Sequence, residues 1–172
     1  MDEPTVLTPN AIAFIGLCRE YCVALEESEP SGEDSRSEFV DKLLRLLPRL
    51  YITAYDLGEM SGIEQSAPAD ALDEDHYNGL RMRIESIMGE DDMYLEVFHE
   101  DMKYSDTPIA ASVSEGLADL FQVTYNLIES VADAPVGLVA EYVAAVAEDF
   151  RSYWSRILCN LLRQLNHVKF FS

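Results

Sequence analysis

Basic residues are scarce in this chain of 172 residues. It carries 12 Lys and Arg against 32 Asp and Glu, and its formal net charge is −20 at pH 7. Proteins bind nucleic acid largely by neutralising phosphates, and anionic lipid surfaces attract basic segments, so this balance argues against both as partners. The acidity is compatible with simple solubility, with adaptation to salt, or with an acidic face that docks on a basic partner or mimics nucleic acid.

Long apolar runs and paired cysteines are also lacking. No stretch of about 18 apolar residues is free of charges, so the sequence predicts no transmembrane helix. Asp2 and Glu3 stand where a signal peptide would carry Lys or Arg, which predicts that no secretory signal is present. The three cysteines are an odd number, which favours reduced thiols and a cytoplasmic location.

The familiar catalytic motifs are absent as well. The chain has no phosphate-cradling Gly-rich loop, no G-x-S-x-G and no H-E-x-x-H sequence. Its three histidines leave little for acid–base catalysis near neutral pH. The sequence therefore favours a non-enzymatic protein, and it predicts neither a metal nor a cofactor.

Helical periodicity, in contrast, is abundant. Between Thr107 and Val131, apolar residues recur at helical spacing along one stripe formed by Ile109, Val113, Leu117, Leu120, Leu127, Ile128 and Val131. Thr107 followed by Pro108 has the pattern of an N-cap and a first-turn proline, so we expect this helix to begin there. The same reasoning predicts helices over Pro9 to about Glu27, Ser35 to Leu57, Glu74 to Met88 and Asp133 to about His167.

Short-range signals mark the ends of several helices. Thr8 and Asp73 are expected to cap the first and third helices, and Gly89 suits the left-handed position that follows the third. Ser35 and Glu38 have the spacing of a capping box, which predicts the start of the second helix.

Two segments interrupt the regular pattern. Pro48 lies inside the second helix, where its ring clashes with the preceding turn, so we expect a kink or a break near it. The sequence MYLEVF, within residues 90–105, could form an extended piece. A single strand would have no partner, so we expect irregular structure there.

These elements predict an all-α fold. Residues 1–172 should form a single-domain bundle of about five helices that ends in a long C-terminal helix, with a kink near Pro48. The short connection between the last two helices predicts that they pack antiparallel. Phe150, Tyr153 and Trp154 are expected to form the densest layer of the core.

Glu115 and Asp119 form the first candidate site. They lie one helical turn apart, and such a pair could hold a divalent metal if another helix supplied more ligands. Carboxylate-bridged bundles use inward-pointing Glu-x-x-His pairs, which the predicted helices lack. The alternative, a solvated helix face, is therefore favoured.

Asn160 and Arg163, on the last helix, form the second candidate site. Asn160 falls within the angular range of the apolar stripe, where a polar side chain needs hydrogen-bond partners or water. Arg163 or Arg156 could donate to an anion or a small ligand at that end of the bundle. The alternative is a helix end whose arginines pair with the many acids, which the helix dipole also favours.

Cys18 and Cys22 lie one turn apart on the first helix. Such a pair could bind a soft metal or form a redox couple. Both cysteines fall on the apolar stripe, where a free thiol behaves as a small hydrophobic group, and we favour that alternative.

The segment ASVSEGLADLFQ, Ala111 to Gln122, resembles a motif of an uncharacterised bacterial family, the domain-of-unknown-function family numbered five-zero-six-three. The similarity extends to GEDD at residues 89–92, to F-I-x-L-C-x-E-Y-C at residues 14–22, to L-P-R-L-Y around Pro48, and to Trp154, Asn160 and Arg163 in the terminal helix. The resemblance implies an all-helical fold in a bacterial cytoplasm and brings no known activity.

Two functional hypotheses follow. The first is an acidic, non-enzymatic interaction or adaptor protein that binds an unknown protein partner or forms a homodimer through exposed apolar residues such as Leu162. The second is a bundle that binds a small ligand or a metal, possibly as an enzyme, through Glu115 and Asp119 and the region of Asn160 and Arg163. Trp154 is a further candidate ligand-binding residue in this second hypothesis.

Overall fold

The computed structural model describes residues 6–96 and 109–172. Within these ranges the chain forms five helices, which share one hydrophobic core, and one two-stranded hairpin. The helices are α1 (Pro9–Glu26), α2 (Ser35–Leu57), α3 (Glu74–Met88), α4 (Val113–Val131) and α5, which runs on through an α-helical segment (Val136–Asp149), a π-helical turn (Phe150–Trp154) and a second α-helical segment (Ser155–Phe170). The predicted all-α bundle with a long C-terminal helix is therefore confirmed. In the described ranges, none of these helices has both the length and the apolarity of a membrane span.

The hairpin corrects the expectation for the middle of the chain. Strand β1 (Met93–Glu96) pairs antiparallel with β2 (Ile109–Ser112), so the extended piece does find a partner. The predicted start of α4 at Thr107 is also wrong, because Ile109 already lies in β2 and α4 begins at Val113. Thr107 and Pro108 themselves lie outside the described residues.

The helix caps follow local chemistry. Thr8 Oγ1 accepts from Ala11 N at 3.1 Å and Asp73 Oδ1 accepts from His76 N at 2.7 Å, which confirms both predicted caps. The predicted capping box at Ser35 is wrong, since Asp34 occupies the N-cap position without a side-chain bond to the helix. Ser35 Oγ instead donates to Gly32 O at 3.1 Å.

Helix α2 continues across Pro48 without a break. A proline inside a helix removes one backbone hydrogen bond, here the bond to the carbonyl of Leu44. The neighbouring Leu43, Leu47 and Leu50 are all fully buried, and their packing offsets that loss. The break is therefore excluded, and the kink stays a prediction.

The aromatic layer centres on Trp154. Its ring stacks on Phe14 of α1 at a centroid distance of 6.2 Å and meets Phe150 at 4.6 Å. Tyr153 is 51% exposed, so its predicted place in this layer is wrong. Successive residues of a helix point in different directions, and at this turn Trp154 takes the direction that faces the core.

Helices α4 and α5 pack closely and antiparallel, as predicted. Gly116, near the start of α4, lies against Leu161, near the end of α5, while the end of α4 connects directly to the start of α5. A Cβ at Gly116 would lie only 2.9 Å from Leu161 Cδ2, so glycine permits this close approach.

Candidate binding groove

A groove of about 420 Å³ opens between the hairpin, the first half of α4 and the second half of α5. Its lining comprises Tyr94 and Glu96 of β1, Ile109, Ala110, Ala111 and Ser112 of β2, Glu115, Gly116 and Asp119 of α4, and Ser152, Tyr153, Arg156, Ile157 and Asn160 of α5. Among the described residues there are larger clefts, of about 600, 560 and 500 Å³, that flank α2. None of the three contains a candidate site residue from the sequence analysis, so we take the hairpin groove as the candidate site.

Asp92 fixes the start of α4 to the hairpin. Its carboxylate is buried and accepts from Ser114 N and from Ser114 Oγ, each at 2.7 Å. Its backbone carbonyl accepts from Val113 N at 2.8 Å. A carboxylate at a helix N-terminus also interacts favourably with the helix dipole. Ser112 adds the N-cap by accepting from Glu115 N at 3.1 Å, and α4 thereby presents Glu115 to the groove.

Asp119 lies half-buried at the α4 end of the groove. It accepts a hydrogen bond from Tyr77 OH at 2.6 Å. Burial raises the pKa of Asp119, and the nearby charge of Glu115 raises it further, while the bond from Tyr77 lowers it. Burial and then the charge of Asp119 also raise the pKa of Tyr153 across the groove. The ionised form of Asp119 is thus held where it is poorly solvated.

The opposite end of the groove is closed by a contact between β1 and α5. The Asn160 amide donates to the Glu96 carboxylate, so the polar residue on the apolar stripe has found a partner. Tyr94 lies beside them, and burial followed by the charge of Glu96 raises its pKa to about 12. The positive charge of Arg163 lowers that pKa.

The structure brings together Glu115, Asp119 and Asn160 of the predicted site residues. Arg163 is exposed and stands near one end of the groove without lining it. Trp154 is buried in the core, where its indole Nε1 donates to Val146 O at 3.1 Å. The structure therefore does not bring Trp154 or Arg163 into the groove, and their part in binding stays a prediction.

Sequence reasoning missed the π-helical turn of α5. Val146, Phe150, Trp154 and Leu158 are buried at successive four-residue steps. Each such step advances about 40° beyond a full turn in a regular helix, so this spacing would drift off the core. The turn takes up the extra rotation and places Ser152 and Tyr153 in the groove. Such turns are frequent at functional sites.

Sequence reasoning also missed Tyr94 and Glu96, because the strand that carries them was predicted to be irregular. Tyr94 and Glu96 alternate with the exposed Met93 and Leu95, and this two-residue period, which is typical of a strand, is the signal that could have found them.

The arrangement of acids and thiols bears on the metal alternatives. In residues 6–96 and 109–172, no group of three or more His, Cys, Asp or Glu is placed to hold a metal ion. Cys18 and Cys22 are buried in the core, and Cys22 Sγ lies 3.2 Å from Thr124 Oγ1. Burial raises the pKa of the Cys22 thiol to about 11, whereas reactive thiols have lowered pKa values. These positions fit the hydrophobic role of both cysteines.

Fold and site together define a small helical bundle that carries an acidic groove beside a β-hairpin. Residues 5–170 match the family described as "Domain of unknown function (DUF5063)", and the chain belongs to this family. The family predicted from residues 111–122 is therefore confirmed.

The chain is also similar to a solved structure, the crystal structure of protein BF1032 from Bacteroides fragilis, a structural genomics target. The two chains are 31% identical, the similarity covers 95% of this chain and 94% of that chain, and the TM-score is 0.80. No functionally curated protein matches the chain significantly. The family's description names no activity.

Proposed function

We propose that this protein is a non-enzymatic interaction module of a bacterial cytoplasm whose groove binds a basic segment of a partner protein. The observation that supports this proposal is the convergence of Glu96, Glu115 and Asp119, from a strand and a helix, on one groove whose described lining has a single basic residue, Arg156. The formal charge of −20 favours the same class of partner through long-range attraction.

The groove suits a Lys or Arg side chain in particular. A cation beside Asp119 would relieve the cost of keeping that carboxylate ionised while it is poorly solvated. Tyr94 and Tyr153 add aromatic surfaces on which a cation can lie.

Neutralising the groove should weaken binding of a basic peptide by about tenfold, because an ion pair at the exposed Glu115 and one at the half-buried Asp119 together contribute roughly 1.4 kcal/mol. The variant is Glu115→Gln with Asp119→Asn, which keeps the shape of both side chains. The probe is a short fluorescein-labelled peptide of alternating Lys and Thr, and the measurement is fluorescence anisotropy at low salt.

The matched control is Glu64→Gln with Asp70→Asn. Both residues are exposed in the connection between α2 and α3 and do not line the groove, so the control removes the same net charge outside it. We expect its affinity to equal that of the unmodified protein. An equal loss in both variants would mean that the peptide responds only to total charge, and no binding by the unmodified protein would contradict the proposal outright. Adding Mg²⁺ as a competitor tests the metal alternative in the same assay.

Binding should also weaken as the pH falls through the raised pKa of Asp119, while the Lys side chains of the peptide stay charged. The stability of the fold should instead increase as the pH falls through this range. The folded state holds the proton of Asp119 more tightly than the unfolded state does. The contribution of Asp119 to stability is therefore fully present below its unfolded pKa and is lost as the pH rises through its folded pKa. Affinity and melting temperature, measured over one pH series, check both trends. Asp119→Asn should flatten them, and identical pH profiles for this variant and the unmodified protein would contradict the assignment.

A further inference from the structure

We propose that the basic partner segment binds as an extended third strand on the outer edge of β2. This inference rests on the proposed function, and it names how the same groove holds its partner. Adding a strand to an exposed sheet edge is a common way for proteins to bind extended peptides.

The hydrogen bonding of the hairpin decides which groups of β2 point outward. Val113 N donates to Asp92 O at 2.8 Å, so these two residues form a hydrogen-bonded pair. The next pairs along the hairpin are Ser112 with Met93 and Ala111 with Tyr94. Hydrogen-bonded and non-hydrogen-bonded pairs alternate in an antiparallel ladder, so Ala111 directs its backbone N–H and C=O at β1. Ala110 and Ser112 therefore direct theirs away from β1.

The residues of both faces of β2 line the groove, whereas β1 contributes only Tyr94 and Glu96, which lie opposite Ala111 and Ile109 on one face. We infer from this difference that the groove extends around the outward edge of β2. In the described ranges, no second strand pairs with this edge, and neither Ala110 N nor Ser112 N donates to a residue outside the hairpin. The carbonyl of Ser112 serves α4 as its N-cap acceptor. The edge thus offers the N–H and C=O of Ala110 and the N–H of Ser112.

Charge decides what occupies the edge. Exposed strand edges invite pairing with identical copies, and proteins usually protect them with charged or proline residues. The sequence of β2, IAAS, has neither. Instead Glu115 and Asp119 stand beside it, and two chains of net charge −20 repel each other. This arrangement disfavours a second copy and favours a basic strand.

The spacing of the carboxylates matches such a strand. Glu115 and Asp119 are separated by four residues of helix, a rise of about 6 Å. Side chains on one face of an extended strand repeat about every 6.6 Å. Where such a strand continues past Ser112 alongside α4, Lys or Arg at alternate positions can therefore place successive cations at the two carboxylates. A shift by one residue would turn the cations to the other face, so the charges also set the register.

The experiment uses the full chain and two derivatives of the alternating Lys and Thr peptide. One derivative carries N-methyl groups on the backbone of every Lys, the other on every Thr, and both keep the same side chains and charge. Only one set of N–H groups can face β2, so one derivative should lose at least about tenfold in affinity and the other should stay within about threefold. On the protein side, Ala110→Pro removes the outward N–H and spares the ladder to β1, and Ala110→Ser keeps that N–H as the matched control.

Each outcome bears on a different claim. Equal binding of both methylated peptides would overturn the third strand and leave the basic partner of the groove in place. A failure of the unmodified peptide to bind would overturn the proposed function together with this inference. A dimer in analytical ultracentrifugation that Ala110→Pro abolishes would assign the edge to a second copy and overturn the basic occupant. A selective loss with one peptide and with Ala110→Pro, but not with Ala110→Ser, supports the inference.

Discussion

Replacing Trp154 by alanine should lower the free energy of unfolding by about 3–5 kcal/mol, the usual cost of removing a large buried aromatic side chain. Trp154 is 1% exposed and is the largest of the fully buried side chains in the described residues. It contacts Phe14 and Phe150, so the loss would open a cavity between α1 and α5. Against a total stability of about 5–15 kcal/mol, this is a large fraction. Urea unfolding followed by circular dichroism should show a lower midpoint with an unchanged slope.

The controls separate packing from hydrogen bonding. Trp154→Phe keeps an aromatic ring and removes the indole N–H, which leaves Val146 O with its bond from Phe150 N alone. We expect a smaller loss, of about 1–2 kcal/mol. Tyr153→Ala changes the adjacent aromatic residue, which is 51% exposed, and should cost less than about 1 kcal/mol. Equal losses at positions 153 and 154 would contradict the rotation that the π-helical turn imposes.

The helices could be predicted because their signals are local and repeated. Apolar residues at helical spacing define the buried face of each helix, and the caps at Thr8 and Asp73 depend on residues only three positions away. The convergence of Glu115 and Asp119 on one side of α4 follows from the same period. Asn160 follows from its place on the apolar stripe of α5.

The hairpin could not be predicted in this way. Each strand has four residues, and the pairing of Met93 with Ser112 spans a long stretch of sequence. Ile109 also falls on the helical stripe of α4, so periodicity alone assigned it to the helix. Because the hairpin forms one wall of the groove, the sequence could predict Glu115, Asp119 and Asn160 but not Tyr94, Glu96 or the free edge of β2.

The buried Asp92 connects the helices to the hairpin. Replacing it by alanine should lower the free energy of unfolding by about 3–4 kcal/mol, because Ser114 N and Ser114 Oγ both lose a charged acceptor in a buried place. Asp92→Asn keeps an acceptor for Ser114 N and should cost only about 1 kcal/mol. In a double-mutant cycle, Ser114→Ala should show coupling to Asp92 of about 1–3 kcal/mol.

Asp92 also joins β1 to the start of α4. The Asp92→Ala variant should therefore exchange its Val113 and Ser114 amide protons faster, and it should bind the basic peptide more weakly at a temperature where the helices remain folded. A loss below about 1 kcal/mol with unchanged exchange would contradict this role.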